Sequence, residues 1–434
     1  MLIRTTVTNL AILVVNFATG LLAARFLEAE GRGYYALILL YPQLVCYLAL
    51  GGLDRSVPIA VGQQRVGRPL KVALSTALLS SVAATFATIG SVWFLVEPPW
   101  VRTLALLFCA YIPAFQTYTL FVAAHMGRGD FRSYNTSRAV FYSSYLLGVA
   151  LIILLGRASV GTFATAYAIA TGMGATTSVL LFRRRSRELL AEGKNSEEAK
   201  PGDPAPQLLD TRGLVSLGLP FVAPAILYGF SANIDRMILS IWLDARSLGV
   251  FVVYISYVAL IGPIANAVNA HIFQRSLSND DTANLALMIR LSSVVYAVLL
   301  TLLGLAANIL VELLYGPTFA TQLDAAYILL GSSFFLFASQ VLNEHLKGKR
   351  STMQDVVSNA VYLAVVAAGA ALLVRPFHLA GLAAAVSLAN FGRYLVVAAY
   401  FSKRVGFRLG SILIPRGGDL AIGWGLISAT LRPR

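Results

Sequence analysis

Four arginines (Arg25, Arg55, Arg236 and Arg393) and three carboxylates (Asp54, Asp235 and Glu344) lie inside or at the ends of long apolar runs. A charge deep in a bilayer costs roughly 3 kcal/mol or more, so such residues face a wet interior, a partner or a bound ion. A guanidinium held there suits bidentate capture of a phosphate or carboxylate, and a carboxylate suits a cation or a proton. Asp235 and Arg236 are sequence neighbours, about 100° apart on a helix, so each needs its own partner. Snorkelling to the headgroups is the competing reading for Arg25, Arg55 and Glu344. For Asp235 and Arg393 it is a structural pair between helices.

The amides Asn16, Gln43 and Asn233 join the four arginines as candidate cavity-lining residues, and Asp235, Asp54 and Glu344 are candidate gating or coupling groups. Gln116, Asn266, Asn269, Gln340, Asn343 and Asn390 suit helix–helix hydrogen bonding, and the many tyrosines suit packing. No GxxxxGK[ST], HExxH, GxSxG or DxD pattern occurs, which argues against a nucleotide-driven pump or a hydrolase. His125, His271, His345 and His378 are scattered near span ends, and Cys46 and Cys109 form no metal-ligand spacing. No catalytic residue, metal site or cofactor is expected. Any driving force would come from protons, sodium or the membrane potential.

The elements that must position these residues follow from composition. Of 434 residues, 57% are hydrophobic and 12% charged, about half the charge a water-exposed surface needs. Apolar runs place twelve spans near 7–25, 34–53, 72–96, 103–124, 137–155, 162–182, 214–241, 250–273, 288–310, 324–343, 355–374 and 379–401. Backbone groups in hydrocarbon must pair internally, so the expected fold is an all-α integral membrane protein. Lys and Arg divide 26 to 6 between the two sides, with Arg236 and Arg393 inside spans. That alternation puts both termini in the cytoplasm, and makes the net charge of +14 a topology signal rather than a nucleic-acid footprint.

One polar stretch, Arg183–Arg212, is expected to be a cytoplasmic linker between lobes 1–182 and 213–401, with a basic tail at 402–434. The halves echo each other. Leu27-Glu28-Ala29, Gly33 and Tyr35 match Leu243-Asp244-Ala245, Gly249 and Phe251. Gly127-Arg128 matches Gly348-Lys349, and Ser137, Ala139, Val140 and Phe141 match Ser358, Ala360, Val361 and Tyr362. An even number of spans per copy makes this a parallel repeat, two pseudo-symmetric six-helix lobes around a central cavity. Pro42 and Pro263, in spans two and eight, are expected to kink at near-equivalent places.

Thr19-Gly20-Leu21-Leu22-Ala23-Ala24-Arg25-Phe26-Leu27 followed by Gly31-Arg32-Gly33-Tyr34-Tyr35-Ala36-Leu37 resembles the start of Wzx-type polysaccharide flippases. These belong to the multidrug/oligosaccharidyl-lipid/polysaccharide exporter superfamily. Pro220-Phe221, Pro224, Asn233-Ile234-Asp235-Arg236 and Leu248-Gly249 extend the likeness. Glu28 stands where the family usually has Gly after the first span, so the tight turn there departs from the pattern. The resemblance implies a bacterial inner-membrane transporter moving an undecaprenyl-diphosphate-linked glycan between leaflets by alternating access. Its partners would be that glycan lipid, membrane lipids and other polysaccharide-assembly proteins, with no nucleic acid. A cation- or proton-coupled drug antiporter and a lipid II flippase are the alternatives, with a membrane glycosyltransferase disfavoured by the short outer loops.

Overall fold

All twelve expected spans lie in helices. The computed structural model describes residues 2–62, 69–191, 211–278, 282–349, 351 and 353–405, and no strand occurs among them. Ten helical stretches are long and apolar enough to cross a membrane. Two of these, Thr8–Leu50 and Met353–Val405, pass through a single non-helical residue, Glu28 and His378 respectively. Each is long enough to cross about 30 Å of hydrocarbon twice, which brings the crossings to twelve. Of the expected linker, residues 183–191 continue helix α7 (Val160–Ala191), and 192–210 lie outside the described residues, as does the tail from 406.

The first connection is tighter than the loop expected over 26–33. It is one residue, Glu28, at φ 56 and ψ −173, inside α1 (Leu2–Leu50). That conformation is essentially glycine's, because a Cβ there meets the neighbouring peptide. The turn that family likeness associates with Gly is therefore kept, with strain, by a glutamate. Glu28→Gly is expected to raise stability by about 1 kcal/mol, the relieved strain less glycine's entropy cost. A lower unfolding temperature for that variant in detergent would contradict the assignment.

Backbone breaks interrupt several crossings. α4 (Pro99–Phe108) and α5 (Ile112–Gly127) meet through a 3-10 turn at Cys109–Tyr111. α10 (Ala245–Val258) and α11 (Gly262–Ser278) meet through another at Ala259–Ile261. In both, the proline (Pro113, Pro263) is the second residue of the following helix, where its missing N–H has no intrahelical role. Pro42 does not behave like Pro263. It lies in an uninterrupted stretch of α1, and span two breaks instead at Gly51–Gly52, both at positive φ, before α2 (Leu53–Gly62). A proline kinks a helix only where the lost hydrogen bond is not absorbed by packing, and Pro42 is buried.

The chain divides into two compact units, Met1–Gly249 and Val250–Arg434. Within the first, the two copies of the Leu-Glu/Asp-Ala…Gly motif meet each other. A Cβ on Gly33 would strike the Ala245 carbonyl, and one on Gly249 would strike the Ala29 carbonyl. Positions 29 and 33 are the repeat partners of 245 and 249, so the contact is reciprocal. Only glycine lets the two backbones approach this closely. In the second copy, Asp244 caps α10, its Oδ1 accepting from the Ser247 N–H at 2.8 Å. Burial pushes the Asp244 carboxyl up, but the Ser247 hydrogen bonds outweigh it and hold it below its usual value. A depressed carboxyl stabilises above its unfolded pKa and loses that contribution as pH falls through the folded value. Asp244→Ala is thus expected to cost about 1 kcal/mol at neutral pH, a difference that shrinks below about pH 4. Unfolding temperatures measured against pH check this, and a pH-independent difference would refute it.

The repeat also reaches the other ends of the helices. His125 is buried edge-on against Phe182 at 5.5 Å, and His345 is buried edge-on against Phe401 at 5.3 Å. Asp130 accepts from the Ser133 N–H to cap α6 (Phe131–Leu154). The matching residues, Ser351 and Gln354, exchange hydrogen bonds just before and within the first turn of α14 (Met353–Val405). Two of the four histidines taken as scattered, His125 and His345, are therefore a repeated packing element.

Candidate substrate site

Span seven is not the continuous helix expected over 214–241. α8 (Thr211–Ser231) stops, Ala232 and Asn233 turn, and α9 (Ile234–Trp242) begins afresh. Pro220 and Pro224 weaken α8 by two donors, yet the break falls more than two turns after the second of them, at Asn233. There the Asn233 amide donates to the Gly229 carbonyl at 2.9 Å, taking the place of the next helical N–H. The restart, just past the candidate span Arg212–Ser231, exposes new N–H groups. Asp235 answers one of them, its Oδ1 accepting from the Arg236 N–H at 2.8 Å. Asp235 is buried and sits in the first turn of α9, where the helix dipole favours its charge.

Arg236 is half-buried. Among the described residues no carboxylate lies within ion-pair distance of its guanidinium, and its Nε has no hydrogen-bond partner. The sequence argument that Asp235 and Arg236 do not face each other agrees with this geometry, since Asp235 holds a backbone group instead. α9 is pinned to α1 by a hydrogen bond between the Tyr41 and Ser240 hydroxyls at 2.8 Å.

The other candidates in the first unit occupy different surroundings. Arg25 and Asn16 are exposed on α1. Arg55 is exposed with Asp54 beside it at 3.7 Å. Gln43 donates to the Tyr167 hydroxyl at 3.1 Å. Tyr167 belongs to an aromatic cluster that includes Tyr111, Phe141 and Tyr145, and the Tyr35 and Tyr145 hydroxyls are bonded at 2.5 Å. Nearby, the buried Gln116 amide donates to the Cys46 carbonyl at 2.9 Å.

In the second unit a polar chain joins two of the candidates. Glu344 pairs with Lys347 at 2.9 Å, and Lys347 reaches Asp355 at 3.4 Å. Asn343 donates to Asp355, whose backbone carbonyl accepts from the Asn359 amide at 2.8 Å. Asn359 in turn accepts from Arg393 at 2.8 Å, and the Arg393 guanidinium lies 4.1 Å over the Tyr362 ring. α13 (Leu323–Gly348) and α14 thus carry Glu344 and Arg393 on one network. Stacking on Tyr362 and a hydrogen bond to the Asn359 amide hold the Arg393 cation in place.

Sequence reasoning missed Arg290, which lies within the expected span 288–310 and was not among the candidate charges. It is only 7% exposed, inside α12 (Thr282–Tyr315). It also missed Tyr145 and Tyr167. Their spacing from each other and from Gln43 has no linear signature. No group of three or more metal-ligating side chains occurs among the described residues.

No family model and no curated protein sequence matches the chain. Solved structures do. A multidrug resistance MATE family transporter of the MOP superfamily, in an inward-facing conformation, matches with a TM-score of 0.69 at 14% identity. That match covers 92% of this chain and 98% of the other. The lipid II flippase MurJ, in an inward closed conformation, matches with a TM-score of 0.71 at 12% identity, covering 100% and 94%. A MOP superfamily transporter from Pyrococcus furiosus, described as having a binding pocket of reverse polarity, matches at 0.62 and 13%, covering 93% and 94%. The chain has the fold of MOP-superfamily transporters. At these identities the likeness speaks for the fold, and the chemistry must be argued from this chain's own residues.

Proposed function

We propose that this chain is a flippase that moves an undecaprenyl-diphosphate-linked oligosaccharide from the inner to the outer leaflet of a bacterial inner membrane. The glycan would serve cell-surface polysaccharide, O-antigen of lipopolysaccharide or exopolysaccharide, and movement would be by alternating access. Both termini would be cytoplasmic. One observation carries the reading: Arg236, half-buried at a break in a membrane helix, without an ion-pair partner among the described residues. A half-buried guanidinium without an ion-pair partner among the described residues is costly unless an anion visits it, and a diphosphate is a fitting visitor. Arg393 and the exposed Arg25 and Arg55 would hand the same headgroup along, with Asn16, Gln43 and Asn233 meeting sugar hydroxyls. Asp235, Asp54 and Glu344 would serve gating or coupling. No cofactor is required, and protons, sodium or the membrane potential would drive the cycle.

A cation-coupled drug antiporter is the second reading, favoured by the buried Asp235 in the same broken helix. A strain lacking its own lipid-linked oligosaccharide flippase separates the two. Expression of this chain is expected to restore surface polysaccharide. Continued accumulation of the lipid-linked precursor, together with new resistance to cationic drugs, would reject the flippase.

A further inference from the structure

The last three turns of α7 carry a face that the transport reading does not use. Leu180, Arg183, Arg184 and Arg187 are spaced so that they share one side of the helix. With Glu188 they line a shallow depression of about 370 Å³. The same side, followed back into the span, presents Ile169, Met173 and Leu180, all exposed apolar side chains. The stripe therefore passes from hydrocarbon-facing to cationic where the candidate span Val160–Glu188 ends.

The charges are unequally occupied. Glu188 accepts from the Arg184 Nε at 3.0 Å and from Arg185 at 3.1 Å. Arg183 and Arg187 are exposed, and no acidic partner lies within ion-pair distance of either among the described residues. An apolar wall below two guanidiniums without an acidic partner among the described residues is complementary to a molecule with an acyl chain and an anionic head.

We infer that this face of α7 holds an anionic phospholipid, its phosphate between Arg183 and Arg187 and its chain along Leu180, Met173 and Ile169. The site is peripheral and independent of the substrate proposed above. Bound there, the lipid would fix the rotation of α7 at the headgroup boundary. It would also prolong the helix past the membrane, by screening four arginines that otherwise repel one another within five residues.

The test uses the full chain in nanodiscs of mixed phosphatidylcholine and phosphatidylglycerol, with retained lipid counted by native mass spectrometry. Wild type is expected to keep phosphatidylglycerol over phosphatidylcholine. Arg183→Gln with Arg187→Gln should lower that preference about fivefold per arginine, whereas Arg157→Gln, an exposed arginine in the connection before α7 and so at the other end of that helix, should not. Leu180→Asn should weaken retention of the diacyl lipid while leaving soluble glycerophosphate unaffected. Equal retention of the two lipids by wild type would overturn the inference, as would unchanged preference in the double variant. Displacement of phosphatidylglycerol by inorganic phosphate alone would also overturn it, since the site would then be one for a soluble anion.

Discussion

Gly33→Ala and Gly249→Ala should each cost about 2–3 kcal/mol, because the new Cβ of either falls on the backbone carbonyl of the opposing motif copy. A carbonyl on a rigid helix cannot rotate away as a side-chain tip can, so the helices themselves must part. The second change should then cost less than the first, since the seam is already open. A double-mutant cycle is expected to show coupling of about 1 kcal/mol or more. Gly90→Ala and Gly172→Ala provide the control. Nothing lies within 4 Å of a Cβ at either, so both should be neutral or slightly stabilising. Unfolding temperatures of the four single variants and the double would decide it. Strict additivity would mean that Gly33 and Gly249 are not parts of one reciprocal contact.

Removal of Arg236 is expected to have the largest effect on activity. Arg236→Ala should lower transport of a diphosphate-linked glycan by about two orders of magnitude with protein level unchanged, the usual scale for deleting a desolvated charge from a recognition pair. Arg236→Lys keeps the charge without the planar fork, and should retain part of the rate. Arg393→Ala should behave like Arg236→Ala, with some loss of stability as well, because its side chain also ties Asn359 to Tyr362. Asp235→Asn provides the contrast. An amide oxygen still accepts from the Arg236 N–H, so stability should fall by less than about 1 kcal/mol; downhill exchange should persist while transport driven by an ion gradient falls. Complete loss of transport in Asp235→Asn with Arg236→Ala still active would reverse their assigned roles.

The crossings were legible because hydrocarbon demands long apolar runs, and nothing else in the chain imitates them. The Leu-Glu/Asp-Ala…Gly repeat was legible as a match, and its reason was not: reciprocal backbone contact appears only once Ala29 faces Gly249. Local competition hid other features. Span seven read as one continuous run; α8 does pass through Pro220 and Pro224, and the interruption comes at an asparagine whose amide replaces a backbone donor. The stretch beginning Arg183-Arg184-Arg185 looked like a linker by charge, yet α7 carries those residues on as helix, with Arg184 and Arg185 paired to Glu188. The chain from Glu344 to Arg393 joins residues far apart in sequence through Asp355 and Asn359, and no spacing rule connects them.

The central claim is tested most directly with purified chain in proteoliposomes carrying a fluorescently labelled undecaprenyl-diphosphate oligosaccharide in one leaflet. Wild type should bring the label to the opposite leaflet, and Arg236→Ala should not. Failure of wild type to move the label, together with accumulation of a cationic dye against an imposed proton or sodium gradient, would contradict the account and identify an antiporter.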